Sequence, residues 1–241
     1  MRNKWNLLAK RDLTYCLIHQ YLVIELQYLD YQEKFYKYLF THRGERKKIG
    51  IVMNVKKKYF IIIQARFNST RFKGKILKKI NNQEVLLIML KRLHKYKKNI
   101  IVNISDKNSH KLVTLCKANK IKYFIGSDKN VLKRYYDCAV HYKAENIIRI
   151  PSDCPLIDPQ IIEKGIKIFS KNKLSYLTNL CPPTYIDGND VEIITFKELE
   201  NIYFKAESLF DKEHVTTYLR RDLKKYNFKN FRSHKNLSKK Y

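Results

Sequence analysis

The chain has 241 residues, 44% of them hydrophobic, which suffices for one large α/β domain with a small extension and excludes both two full domains and a disordered protein. A formal net charge of +28 first suggests a nucleic-acid partner, yet the excess runs through the whole chain: 13 Lys/Arg against 5 Asp/Glu in residues 1–58, and 10 against 2 in residues 212–241. With no zinc-finger, RNA-binding aromatic or helix-turn-helix pattern, this distribution reads as a solvated Lys-rich surface and argues against nucleic acid.

In chain order, residues 1–52 come first as a helical extension of uncertain role. Leu13, Leu17, Tyr21, Ile24 and Tyr28 recur near helical spacing before the polar breaker THRGERKKIG. The stretch Leu13 to Leu29 is interrupted by His19, Gln20, Glu25 and Gln27, so no membrane span is expected, and its apolar face offers a homodimer contact. From Met53 to residue 241 the pattern changes. Strands are expected at 59–64, 99–105, 122–125, 146–150, 175–179 and 191–196. Helices are expected near 83–96, 108–119, 129–142, 159–170, 197–206 and 213–221. Short β-branched strands alternating with helices predict an α/β fold, a doubly wound, mostly parallel sheet with helices on both faces. Asp158-Pro159 supplies a helix cap followed by a proline at the first helical position, and Gly126-Ser127-Asp128 is expected to open the helix at 129–142.

The five cysteines (Cys16, Cys116, Cys138, Cys154, Cys181) are odd in number, widely spaced and never in a CxxC pair. That excludes a disulfide framework and a structural zinc site, and fits a reducing, cytoplasmic location. No signal-peptide pattern opens the chain.

In a sheet of this kind ligands bind at the carboxyl ends of the strands. After the first strand comes a loop carrying Arg66, Ser69, Thr70, Arg71, Lys73 and Lys75 with Gly74. It lacks the Walker spacing, and two readings stand: a cradle for a triphosphate, with hydroxyls and backbone N–H groups on the oxygens and cations offsetting charge, or a solvated basic turn. After the fourth main strand, RIPSDCPLIDP holds Asp153 between Pro151 and Pro155. A carboxylate in a stiffened loop suits a hard cation such as Mg²⁺, which takes few protein ligands and keeps waters and phosphates.

Together these stretches resemble the SpsF-type cytidylyltransferase family of spore-coat polysaccharide biosynthesis, related to the CMP-KDO and acylneuraminate cytidylyltransferases. The resemblance is carried by IIIQARFNSTRFKGKIL, GSDKNVLKRYYDCA (126–139), RIPSDCPLIDP (149–159), YIDGNDVEIITF (185–196) and EHVTTYLRR (213–221). It implies a nucleotide-diphospho-sugar transferase (Rossmann-like) fold and transfer of CMP from CTP to a sugar acceptor with release of pyrophosphate. By the same resemblance Arg66, Ser69, Arg71 and Lys75 hold the triphosphate and Asp153 binds Mg²⁺. Arg134 is either a nucleotide contact or a salt-bridged residue of the helix surface. Asp190 and Glu192, expected on one face of a strand, are the sugar-binding candidates, and His214 is the candidate general base or sugar ligand.

The sequence also departs from the family pattern. Phe67-Asn68 and Phe72-Lys73 stand where Met-Gly and Leu-Pro are usual, and the chain ends at HKNLSKKY, about where a further TVD-like strand is expected. These features lead to two expectations: a truncated member with impaired activity, and an ordinary start at Met53 that leaves residues 1–52 without catalytic importance.

Overall fold

In the computed structural model the described residues are 58–66, 74–106 and 109–239. The expected N-terminal helix, Ser69 and Arg71 lie outside them.

Strand β1 (Tyr59–Ala65) reads YFIIIQA because it lies inside the sheet and buries both faces. Its isoleucines alternate between two cores: Ile61 and Ile63 pack on one side, Phe60 and Ile62 on the other. Burying such a side chain contributes about 1.5–3 kcal/mol, which is why β-branched runs rather than alternating ones mark these strands. Parallel neighbours flank β1: β4 (Ile100–Ser105) with Ile62 opposite Ile101, and β6 (Asn146–Pro151) with Ile62 opposite Arg149. Next to β4 lies β5 (Lys122–Gly126).

The far side of the sheet is not parallel. Strand β8 (Glu192–Thr195) runs antiparallel to β6 and to β7 (Tyr176–Thr178), and β9 (Phe228–Asn230) closes the order β5-β4-β1-β6-β8-β7-β9. The sequence reading did not anticipate β9. A hairpin of β2 (Lys79–Ile80) and β3 (Gln83–Glu84) precedes the first helix.

Helices cover both faces. On one side lie α1 (Val85–Arg92), α2 (His110–Ala118) and α4 (Pro159–Lys171), contributing Leu86, Leu112 and Ile162 to the core. On the other lie α3 (Val131–His141) and α5 (Phe196–Lys205), contributing Leu132 and Ile202. Asp158 caps α4 as expected, accepting from the Gln160 N–H at 2.8 Å. The cap of α3 is Asn130, which accepts from Lys133 N–H at 2.8 Å, while Ser127 only braces it. The expected helix at 213–221 is two: α6 (Leu209–His214) and α7 (Thr217–Arg220). Between them Val215 adopts φ 62 and ψ −63, a γ-turn closed by Thr216 N–H on the His214 carbonyl at 2.7 Å. The Thr216 and Thr217 hydroxyls compensate by bonding Glu192 and Asp211 at 2.8 and 2.9 Å.

Candidate active site

The chain winds from β1 to β4 and β5 on one side and then returns to β6 on the other, so the strand order reverses between β1 and β6. A crevice opens at such a reversal. Two sequence-selected groups meet there: Lys75 Nζ lies 2.7 Å from Asp153 Oδ2, both half-exposed. Gly74 makes this approach feasible. It sits at φ 68, a left-handed backbone that a side chain resists, and it starts the 3-10 turn Lys75–Leu77 that faces Lys75 toward β6. On the β6 side, Ser152 N–H bonds the Gln64 carbonyl at 3.2 Å, locking the Asp153 loop to the end of β1.

Arg66, the first residue after β1, pairs loosely with Glu213 of α6 at 3.6 Å. An exposed pair of this length contributes less than about 1 kcal/mol, so an anionic ligand can replace the glutamate. Motif reading left Glu213 unassigned, and the structure sets it beside Arg66.

Arg134 does not lie on a helix surface. It is fully buried under the carboxyl ends of β4 and β5, where Nη1 donates to the Ser127 carbonyl while Nε and Nη2 have no partner among the described residues. A Cβ at Gly126 would lie 3.0 Å from the Arg134 side chain and 3.1 Å from the Phe124 ring, so a larger residue here would crowd both. Burial lowers the Arg134 pKa, and nearby Arg66 adds to that, against Tyr135, Asp128 and Asp106. Buried donors are nearly always satisfied, and an arginine held this way calls for an anion. Asn103, Ser105 and the Nε of Arg149 are likewise buried without partners. Their positions in NIIVNIS and NIIRIP put all three on the α3 side of the sheet, a signal that period-2 reading contains.

Asp190 and Glu192 part ways. Asp190 precedes β8 in a loop fixed to the Asp153 loop, where Asn189 Oδ1 accepts from Asp158 N–H at 3.0 Å. Burial, then Asp187 and Glu192, push the Asp190 carboxyl above its ordinary value. Glu192 is buried and saturated: Arg149 and Arg220 each reach it at 2.6 Å, and the hydroxyls of Thr216 and Tyr176 also donate to it. That carboxylate fastens β8 to β6 and α7 and has no oxygen to spare for a sugar. Its interior position follows from pairing opposite Arg149. His214 ends α6 with its ring centroid 4.4 Å from that of Phe210, and among the described residues no carboxylate is hydrogen-bonded to it.

The described cysteines are free, and burial pushes the Cys116 and Cys154 thiols up to about 12, so they stay protonated. Among the described residues no helix is long and apolar enough to cross a membrane.

The reversed-order α/β sheet gathers cations and a carboxylate at its carboxyl edge, the place where nucleotide-binding α/β folds hold their ligands. A solved cytidylyltransferase from Leptospira borgpetersenii serovar Hardjo-bovis has the same fold, with a TM-score of 0.73 and 33% identity over 76% of this chain and 79% of that one. The chain belongs to the cytidylyltransferase family, whose model matches residues 60–240. It is 35% identical over 161 residues to the uncharacterized protein MJ1063 of Methanocaldococcus jannaschii, 66% of this chain and 65% of that relative. It is 30% identical over 166 residues to the spore coat polysaccharide biosynthesis protein SpsF of Bacillus subtilis, 66% of this chain and 68% of SpsF. The chain therefore spans about two thirds of the length of these curated relatives.

Proposed function

We propose that this protein transfers CMP from CTP to a sugar acceptor, releasing pyrophosphate, in the cytoplasmic synthesis of a polysaccharide or other glycoconjugate. The observation that carries the reading is the buried edge of Arg134, without a partner among the described residues and within reach of the Arg66 charge, at the same carboxyl edge of the sheet as the Lys75–Asp153 pair. An acceptor oxygen attacks the α-phosphorus. The bond to the bridging oxygen breaks, and its electron pair leaves with pyrophosphate while the hydroxyl proton passes to solvent. Such transfer needs positioning and charge stabilisation more than covalent chemistry from the protein. Arg66 and Arg134 bind and orient the phosphates, together with Ser69 and Arg71 from the same loop, and Lys75 neutralises charge on the leaving group. Asp190 and His214 serve the acceptor, His214 as a sugar ligand because its ring lacks the orienting partner of a general base.

The donor set also fits Mg²⁺. Asp153 provides a hard oxygen, Asp190 lies close enough to Asp187 to feel its charge, and among the described residues no group of three or more His, Cys, Asp or Glu side chains forms a complete cage. That is the arrangement of an ion bound by one or two carboxylates with phosphates completing its shell. When bound, Mg²⁺ offsets charge on the phosphate oxygens. Because Lys75 holds Asp153 in the free protein, Lys75→Met is expected to raise nucleotide-free Mn²⁺ affinity several-fold by electron paramagnetic resonance, while weakening CTP binding.

Pyrophosphate release from CTP, UTP and GTP with a panel of sugars tests the reaction, and CTP is expected to be preferred. CTP binding without any release would replace the transferase reading by that of a nucleotide-binding homologue. Arg134→Met separates site from scaffold. CTP affinity is expected to fall on the order of 100-fold, while stability stays within about 1 kcal/mol of the parent or rises, because an unpaired buried charge is removed. Retention of CTP affinity in calorimetry would overturn the assignment.

A further inference from the structure

At the opposite end of the sheet a cavity of about 260 Å³ opens between α1, the 3-10 turn His94–Asn99 and the start of β4. Its floor is apolar, formed by Leu87, Leu90 and Ile100, and its rim carries Lys91, His94 and Lys97. Ile100 is the first residue of β4 and pairs with Ile61, four residues before the carboxyl end of β1, so the cavity is roughly 13 Å along the strands from that end.

Basic side chains alone mean little on this chain. Here, however, neither rim lysine, Lys91 or Lys97, has an ion-pair partner among the described residues, and His94 has none either. The neighbouring carboxylates are engaged elsewhere, Glu84 with Lys79 at 3.8 Å and Glu163 with Lys95 at 2.7 Å and Lys167 at 2.9 Å. Half-exposed leucines beneath unpaired cations leave two needs unmet at one place: cover for apolar surface and an anion.

We infer that this cavity binds a free amphiphilic anion, an alkyl chain with a phosphate-type head, the chain lying on Leu87 and Leu90 and the head reaching Lys91, His94 and Lys97. At about 30 Å³ per water-sized group the volume admits about eight such groups, room for a short alkyl chain. A concave cavity of this size takes a monomer rather than a bilayer surface.

Calorimetry of the full chain with octyl phosphate below its micelle concentration tests the inference. Saturable one-to-one binding is expected, at least tenfold tighter than for inorganic phosphate or octyltrimethylammonium, and undiminished by saturating CTP or by Arg134→Met. Leu87→Trp, which fills the cavity from a helix surface position, is expected to weaken it at least tenfold with an unchanged melting temperature. If that variant melts early, the double variant Lys91→Glu/Lys97→Glu supplies the control, and preference is expected to shift toward octyltrimethylammonium. Four results would overturn the assignment: no saturation, equal binding of both head groups, competition by CTP, or stronger capture by phosphatidylglycerol vesicles than by the monomer. Sedimentation showing a dimer that Leu87→Trp dissociates would likewise overturn it, making this face an interface between copies.

Discussion

Asp153→Asn is expected to lower kcat/KM for CMP transfer by about three orders of magnitude while leaving the fold intact. The substitution keeps the size of the side chain and removes its charge, so what it costs is electrostatic. Removing one group that stabilises developing charge typically costs 10²–10³ in rate, and weakened hold on a metal adds to that. Asp190, the nearby carboxylate on the β8 side, is a poorer source of charge, because burial first, then Asp187 and Glu192, disfavour its ionised form. Asp153 is half-exposed and its pair with Lys75 is a surface pair, so the melting temperature is expected to move by no more than a few degrees. Steady-state pyrophosphate release with CTP and a competent acceptor measures the effect. A rate within tenfold of the parent would remove Asp153 from the reaction.

Glu192→Gln is expected to produce the opposite pattern, a loss of about 3–5 kcal/mol in stability with a secondary effect on activity. Burial favours the neutral acid, but Arg149 and Arg220, aided by Tyr176, outweigh it and bring the carboxyl to about 2. Neutralising it strands two arginines that are mostly withdrawn from water, 15% and 30% exposed. Breaking one side of such a network is far costlier than the network's net worth. The sign of the pH dependence follows from the depressed value. The contribution is complete above the ordinary carboxyl value of 4.5 and is lost as pH falls from there toward about 2, an interval worth about 3 kcal/mol. Urea denaturation at pH 7 and pH 3 should therefore show parent and variant converging in acid. A constant gap would mean that Glu192 acts by packing rather than by charge.

Much of the site was legible because local chemistry marks it. Strand β1 shows its run of isoleucines, the loop after it shows its cations, and Asp153 sits in a proline-fenced turn at a strand end. The family motifs linked these stretches across the chain. Less legible were contacts made by residues far apart in sequence. Arg134 had two readings of equal standing, since helical spacing places it on a face without saying whether α3 turns that face outward. Glu192 looked like a partner of Asp190 because alternation was counted through a strand that in fact begins at Glu192.

The sequence by itself determined the α/β alternation, the carboxyl-edge location of the candidate site and the cap at Asp158, since each rests on residues close in the chain. Only the tertiary structure decided the antiparallel turn of β8, the burial of Arg134 beneath Gly126, the capture of Glu192 by two arginines and the split at Val215. The physical reason is one of range. Propensity and capping act over a few residues, whereas desolvating an arginine or satisfying a carboxylate depends on which distant strands and helices close around it.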